Sequence, residues 1–225
     1  MADRYWVGGS ATWDGTAGTK WALTSGGAGG QAVPTAADDV YIDSGSGAVT
    51  VTVGTGALCR NLSFVSGAGA FAGTFAGTTA FTISGGMTVS SAMTISFSGG
   101  ITFNATVAGN TIASAGKTID NTITFNGAGG EWQLQDNLTL GSGRSIVLTA
   151  GTIDLAGKTL ACHTLSSSNT NTRAIKFGAG QITDRANSAN VVNMANATGF
   201  TYTGTPAIVS NYSGATGTRT YLFGT

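Results

Sequence analysis

The chain has 225 residues, of which 36 are glycine and 9% are charged, with a formal net charge of +0. Glycine, alanine, serine and threonine fill 124 positions, whereas glutamate and histidine occur once each and cysteine and proline twice. This composition excludes collagen, a disulfide scaffold and a charge-rich disordered segment. Balanced charge also argues against a basic nucleic-acid surface, and the scarcity of helix formers other than alanine argues against a helical domain. There is no apolar run of about 18 residues to span a membrane.

The first 45 residues stand apart and read as a capping module. They hold Tyr5, three of the four tryptophans (Trp6, Trp13, Trp21), a loop at Gly26-Gly27-Ala28-Gly29-Gly30, Pro34 and the acidic pair Asp38-Asp39. The opening Met1-Ala2-Asp3-Arg4 has neither a basic nor an apolar leader region, so no secretion signal is expected.

Residues 46–225 read as a repetitive body. Val49, Val51 and Val53 alternate with threonines, the pattern of a half-buried strand. Short pairs flanking one residue follow: Phe81/Ile83, Met87/Val89, Met93/Ile95, Ile101/Phe103, Ile123/Phe125, Leu138/Leu140, Ile146/Leu148 and Ile153/Leu155. Between them lie short Gly/Ser/Asn segments suited to corners.

Strands this short are not stable alone. They become stable when the chain coils and each turn pairs with the one before, stacking apolar residues inside and Thr/Ser outside. The pattern therefore predicts an all-β, right-handed parallel β-helix with roughly 20–24 residues per coil and an aromatic-rich N-terminal cap. An antiparallel sandwich or jelly roll is the alternative, but the six-residue spacing over 81–95 leaves little room for hairpins. Thr220-Tyr221-Leu222-Phe223-Gly224-Thr225 reads as an apolar, uncapped end strand, so either a partner covers it or the chain continues.

Candidate chemistry is sparse. Gly151–Thr159 approaches a phosphate-binding loop but has five residues, not four, between its first glycine and Gly157-Lys158. Because Gly-Lys-Thr also occurs at 116–118, both copies read as a repeated corner. Cys162 and His163 are adjacent, so on a strand they face opposite ways and cannot form a nucleophile pair. With no further ligands in reach they make no zinc site, and Cys59 and Cys162 are expected to be free, buried thiols. Asp120, Asp136, Asp154, Asp184 and Glu131 are the candidate acids for glycoside cleavage, but no two share a telling spacing. Asp38, Asp39 and Asp43 fit no calcium loop and read as turn caps. No catalytic, cofactor or metal residue is assigned. Tyr5, Trp6, Trp13, Trp21 and Trp132 are the aromatic candidates, either plugging the solenoid or forming a sugar-stacking platform.

Two groups of residues carry a resemblance. Arg4-Tyr5-Trp6-Val7-Gly8-Gly9, Thr12-Trp13, Trp21, the glycine-rich loop, Val33-Pro34 and Ala37-Asp38-Asp39-Val40-Tyr41-Ile42-Asp43 resemble the N-terminal module of β-solenoid surface proteins. Such modules occur in bacterial adhesin-like proteins and in tailed-phage virions. The stretch from Ser166 to Gly178, with Tyr202–Pro206 and Tyr212–Arg219, is similar to repeats of long phage virion proteins. The resemblance implies a non-enzymatic virion structural protein on the particle surface, as a capsid decoration (cement or head fibre) or a fibre component. It also implies a homotrimer, with a capsid or tail protein as partner. A carbohydrate-binding adhesin or tailspike-like module contacting host glycan is the alternative.

Overall fold

A computed structural model describes residues 1–16, 18–186, 190–212 and 218–223. Among them the only helix is a single 3-10 turn at Ser44–Ser46. The rest of the regular structure is strand, and almost every pairing is parallel. The chain is a β-solenoid in which successive coils stack along one axis.

Each coil visits three faces. Face one stacks Asp3–Trp6, Asp39–Tyr41, Leu62–Ser63, Met87–Thr88 and Asn110–Ala113. It continues through the ends of Ile123–Leu134 and Ile146–Asp154 to Arg173–Gly178 and Phe200–Gly204. Val40, Leu62, Met87, Ile112 and Leu134 fall in line on it, at steps of 22, 25, 25 and 22 residues. The last step, Ile175 to Tyr202, is 27 residues. The coils are thus less uniform than the predicted 20–24, because corners and strands both vary in length.

Face three carries the clearest sequence pattern. Phe81, Ile101, Ile123, Ile146, Leu165 and Val192 form one inward row, and Cys59, Ile83, Phe103, Phe125 and Leu148 begin another. Four of the alternating pairs of the sequence, Phe81/Ile83, Ile101/Phe103, Ile123/Phe125 and Ile146/Leu148, lie in these rows, and every residue of the rows is buried. The stacked rows place like beside like in a dry interior, each fully buried Leu, Ile or Phe contributing about 1.5–3 kcal/mol relative to exposure. Two strands, Ile123–Leu134 and Ile146–Asp154, are long because they turn the corner from face three to face one without a break. The irregular register around Asn126 marks that corner. A Cβ on Gly127 or Gly130 would collide there with the Ala105 carbonyl, so glycine lets successive corners nest.

Face two is in two pieces. Ala11–Trp13, Thr50–Val53, Thr74–Gly77 and Thr94–Phe97 form one ladder. Thr118–Ile119, Leu138–Leu140, Thr159–Cys162, Gln181–Asp184 and Ile208–Ser210 form the other. Among the described residues no ladder joins Thr94–Phe97 to Thr118–Ile119. The fully buried Asn121 spans the gap, donating through Nδ2 to the carbonyls of Gly99 (2.5 Å) and Phe97 (3.1 Å).

The strands Asp3–Trp6, Ala11–Trp13 and Asp39–Tyr41, all before residue 46, are themselves rungs of these ladders. What closes this end is the segment between them. Trp21–Ala22 pairs antiparallel with Asp3–Trp6, covering an edge that would otherwise be open. A second antiparallel contact, Val65–Ser66 with Gly69–Ala70, is a small side hairpin. At the far end Phe200–Gly204 is largely exposed. A depression of about 570 Å³ there is lined by Phe177, Met194, Phe200, Tyr202, Ile208 and Phe223. Thr220–Phe223, the last strand described, pairs parallel with Asn190–Met194. Gly224 and Thr225 lie outside the described residues, as do residues 213–217 of the second resemblance segment.

Candidate functional site: the outer surface of face one

The aromatic candidates divide by position. Trp6, Trp13 and Trp21 are 0% exposed and pack edge to face, with ring centroids 5.1 Å (Trp6–Trp21) and 5.3 Å (Trp13–Trp21) apart. Trp132 is also 0% exposed, but it lies in mid-solenoid beside Phe103 and Phe125, its Nε1 donating to the Gly85 carbonyl at 2.9 Å. None of the four indoles offers a face to a sugar, which corrects the stacking-platform reading for the tryptophans. For Trp132 the reason is strand parity: in Glu131-Trp132-Gln133-Leu134 the even positions point inward. Tyr5 is half-buried and stacks on Tyr41 in the next coil, centroids 4.8 Å apart and planes 15° from parallel.

The carboxylates proposed as acids are each engaged by the chain itself. Asp120 is paired with Arg144, which holds its carboxyl below the usual carboxylate range. Asp136 accepts from the amides of Ser114 and Gly116 and from the Ser114 hydroxyl. Asp184, buried inside face two, accepts from the Tyr221 hydroxyl at 2.6 Å. Of the N-terminal acids, Asp38 accepts from Thr35 and the Ala2 amide, and Asp39 pairs with Arg60. Asp43 caps Ser44–Ser46 and accepts from Ser25 and Ser66. The two Gly-Lys-Thr copies are matching corners: Ala115 and Gly116 have φ of 52° and 72°, and Ala156 and Gly157 have 49° and 79°. Each turn closes with a backbone bond, Lys117 N to Ser114 O and Lys158 N to Leu155 O. No phosphate cradle is formed.

Polar side chains outside the core gather on the outer side of face one. On the outer side of face one, Thr111, Gln133, Asp154 and Lys176 stand in one row, and Glu131 stands beside it in register with Thr152. Lys176 reaches two coils along the face, its Nζ 2.8 Å from both carboxylate oxygens of Glu131. That bond raises the Lys176 pKa, with Asp154 adding to the effect. Gln135 Nε2 donates to Gln133 Oε1, and Gln133 Nε2 donates to Asp154 Oδ2, both at 3.1 Å. A groove of about 100 Å³ beside this row is lined by Gly109, Asn110, Thr111, Glu131 and Gln133. The sequence offered Glu131 and Asp154 only as isolated acids. Their common face depends on coil lengths that alternation does not reveal.

Fold and surface together define a parallel β-solenoid with a polar strip on one outer face. No family model, curated protein or solved structure matches the chain.

Proposed function

We propose that the chain is a non-catalytic structural protein: a β-solenoid rod displayed on the surface of a tailed-phage particle, as a capsid decoration or fibre component. The observation that carries this reading is the use of the titratable side chains. The five candidate acids hold the chain's own backbone, hydroxyls and cations rather than converging on a cleft. Continuous backbone pairing on faces one and three supports a stiff body, and the resemblance of the N-terminal module (residues 4–43) to β-solenoid surface proteins, and of residues 166–178, 202–206 and 212–219 to repeats of phage virion proteins, supports the setting. The Thr/Ser exterior suits side-by-side packing of identical subunits at little desolvation cost, consistent with a homotrimer on a capsid or tail protein.

The test is mass spectrometry of purified particles from the phage that encodes the chain. Stoichiometric recovery with virions is expected, and its absence from intact particles sinks the reading. Light scattering of the isolated protein checks the trimer separately, with a monomer at micromolar concentration counting against it.

A further inference from the structure

We propose that Tyr5 and Tyr41 form an oxidative cross-linking site, at which a haem peroxidase with hydrogen peroxide joins the two rings into a dityrosine and staples the first coil to the second. The inference does not depend on the virion reading, since it uses only the geometry of the first two coils.

The first argument is placement. Asp3–Trp6 and Asp39–Tyr41 pair in parallel, with Tyr5 opposite Tyr41. An in-register parallel ladder sets identical side chains one above the other on the same side of the sheet. The rings accordingly stack, with centroids 4.8 Å apart and planes 15° from parallel. In a phenoxyl radical the spin lies largely on the oxygen and on the ring carbons beside it. Stacking holds those carbons of the two rings close before any oxidant arrives, so coupling needs no search through space. Among the described residues no other two tyrosines stack. Tyr202 is exposed at the far end, Tyr212 lies against Arg219, and the Tyr221 hydroxyl is held by Asp184.

The second argument is access and the route for the proton. Both rings are half-buried on the outer side of the sheet, so an oxidant reaches their edges. Burial, and after it the Asp3 carboxylate, raises the pKa of both phenols, so each ring carries its hydroxyl proton at neutral pH. Asp39 is held by Arg60, whereas the exposed Asp3 side chain has no partner among the described residues. Asp3 stands two residues before Tyr5 on the same outer side, opposite Asp39. It is the base placed to take a phenol proton as the electron leaves.

The chemistry balances with one peroxide. Each ring gives up one electron and its hydroxyl proton to become a phenoxyl radical. A carbon–carbon bond forms between the two carbons beside the oxygens, and the hydrogen on each of those carbons moves to its oxygen, restoring both phenols. Two hydrogens leave the protein, and hydrogen peroxide is reduced to two waters. The bond closes a covalent loop around the segment holding Trp13 and Trp21, whose Trp21–Ala22 strand covers the edge of Asp3–Trp6.

The experiment treats the folded full chain with a haem peroxidase and hydrogen peroxide, and follows dityrosine fluorescence and intact mass. A monomer lighter by two hydrogens is expected, with the peptide carrying Tyr5 joined to the one carrying Tyr41. Y5F and Y41F keep a stacked ring and the fold, checked by melting temperature, and each should abolish the product, whereas Y202F should keep it. In urea the yield should fall at least about tenfold, because the proximity is lost. The proposal is overturned if the folded chain gains oxygen without losing hydrogen, or if dityrosine appears only in covalent dimers. A link that survives Y5F, or equal yields from folded and unfolded chain, overturns it as well.

Discussion

Arg173 and Phe200 are register partners on neighbouring coils of face one, and the guanidinium of Arg173 lies 5.5 Å from the centre of the Phe200 ring. Arg173 is 1% exposed and has no carboxylate partner among the described residues. Instead it donates to the carbonyls of Ser167, Asn171, Thr198 and Asn196, and to the Ser167 hydroxyl. Burial lowers its pKa. The residue is a peg that ties two corner segments to the core. Replacing it by methionine keeps bulk but leaves the buried Ser167 carbonyl and the part-buried carbonyls of Asn171, Asn196 and Thr198 without their donor, at about 1–3 kcal/mol for a fully buried group and less for the others. Arg173→Met is expected to destabilise the protein by at least about 3 kcal/mol in urea unfolding, with Arg173→Lys falling between. An unchanged midpoint would show that water already satisfies these carbonyls.

Asn121 does the work of a missing ladder, so Asn121→Leu should remove the bridge across face two. Two buried carbonyls lose their donor, and a loss of about 2–4 kcal/mol is expected. Part is recovered because the Asn121 Oδ1 is itself buried without a partner among the described residues. Amide exchange checks the location: protection should fall first at Phe97–Gly99 and Thr118–Ile119.

The two cysteines are free and buried. Burial pushes the Cys162 thiol up to about 12 and raises Cys59 well above its ordinary value. Neither should react with a thiol reagent until the protein unfolds, when both should. The sign of the pH effect follows. The folded state keeps the Cys162 proton between the unfolded value of 9.0 and about 12, while the unfolded chain releases it. Stability is therefore full below pH 9 and declines above it, by up to about 1.4 kcal/mol per pH unit for each thiol. Cys162→Ala should flatten this alkaline slope in urea titrations between pH 8 and 10.

Ala115 and Ala156 both occupy the left-handed region, at φ of 52° and 49°. A Cβ there costs about 1–2 kcal/mol, partly offset by the entropy glycine loses on folding. Ala115→Gly and Ala156→Gly should each stabilise by about 0.5–1 kcal/mol, seen as a rise of roughly 1–4 °C in melting temperature. A fall would mean that the Cβ packs against something the backbone strain does not outweigh.

Much of the fold was legible because the solenoid repeats one local rule. Pairs such as Phe81/Ile83 and Ile101/Phe103 announce strands whose neighbours lie one coil away. The same parity rule hid information in plain view: Glu131-Trp132-Gln133-Leu134 and Arg173-Ala174-Ile175 assign Trp132 and Arg173 to the interior, against the usual habit of arginine. What alternation cannot supply is register between coils. Glu131 finds Lys176 across 45 positions only because the intervening corners have particular lengths. The break in face two was equally silent, since both sides of it carry ordinary strand patterns.

That break also bears on mechanics. Where Thr94–Phe97 ends one ladder and Thr118–Ile119 begins the next, only faces one and three carry strand pairing along the axis. A beam held on two of three sides is most compliant in the direction that opens the third. Bending should concentrate at this level, hinging on faces one and three, with the Asn121 amide acting as the tether that limits the excursion.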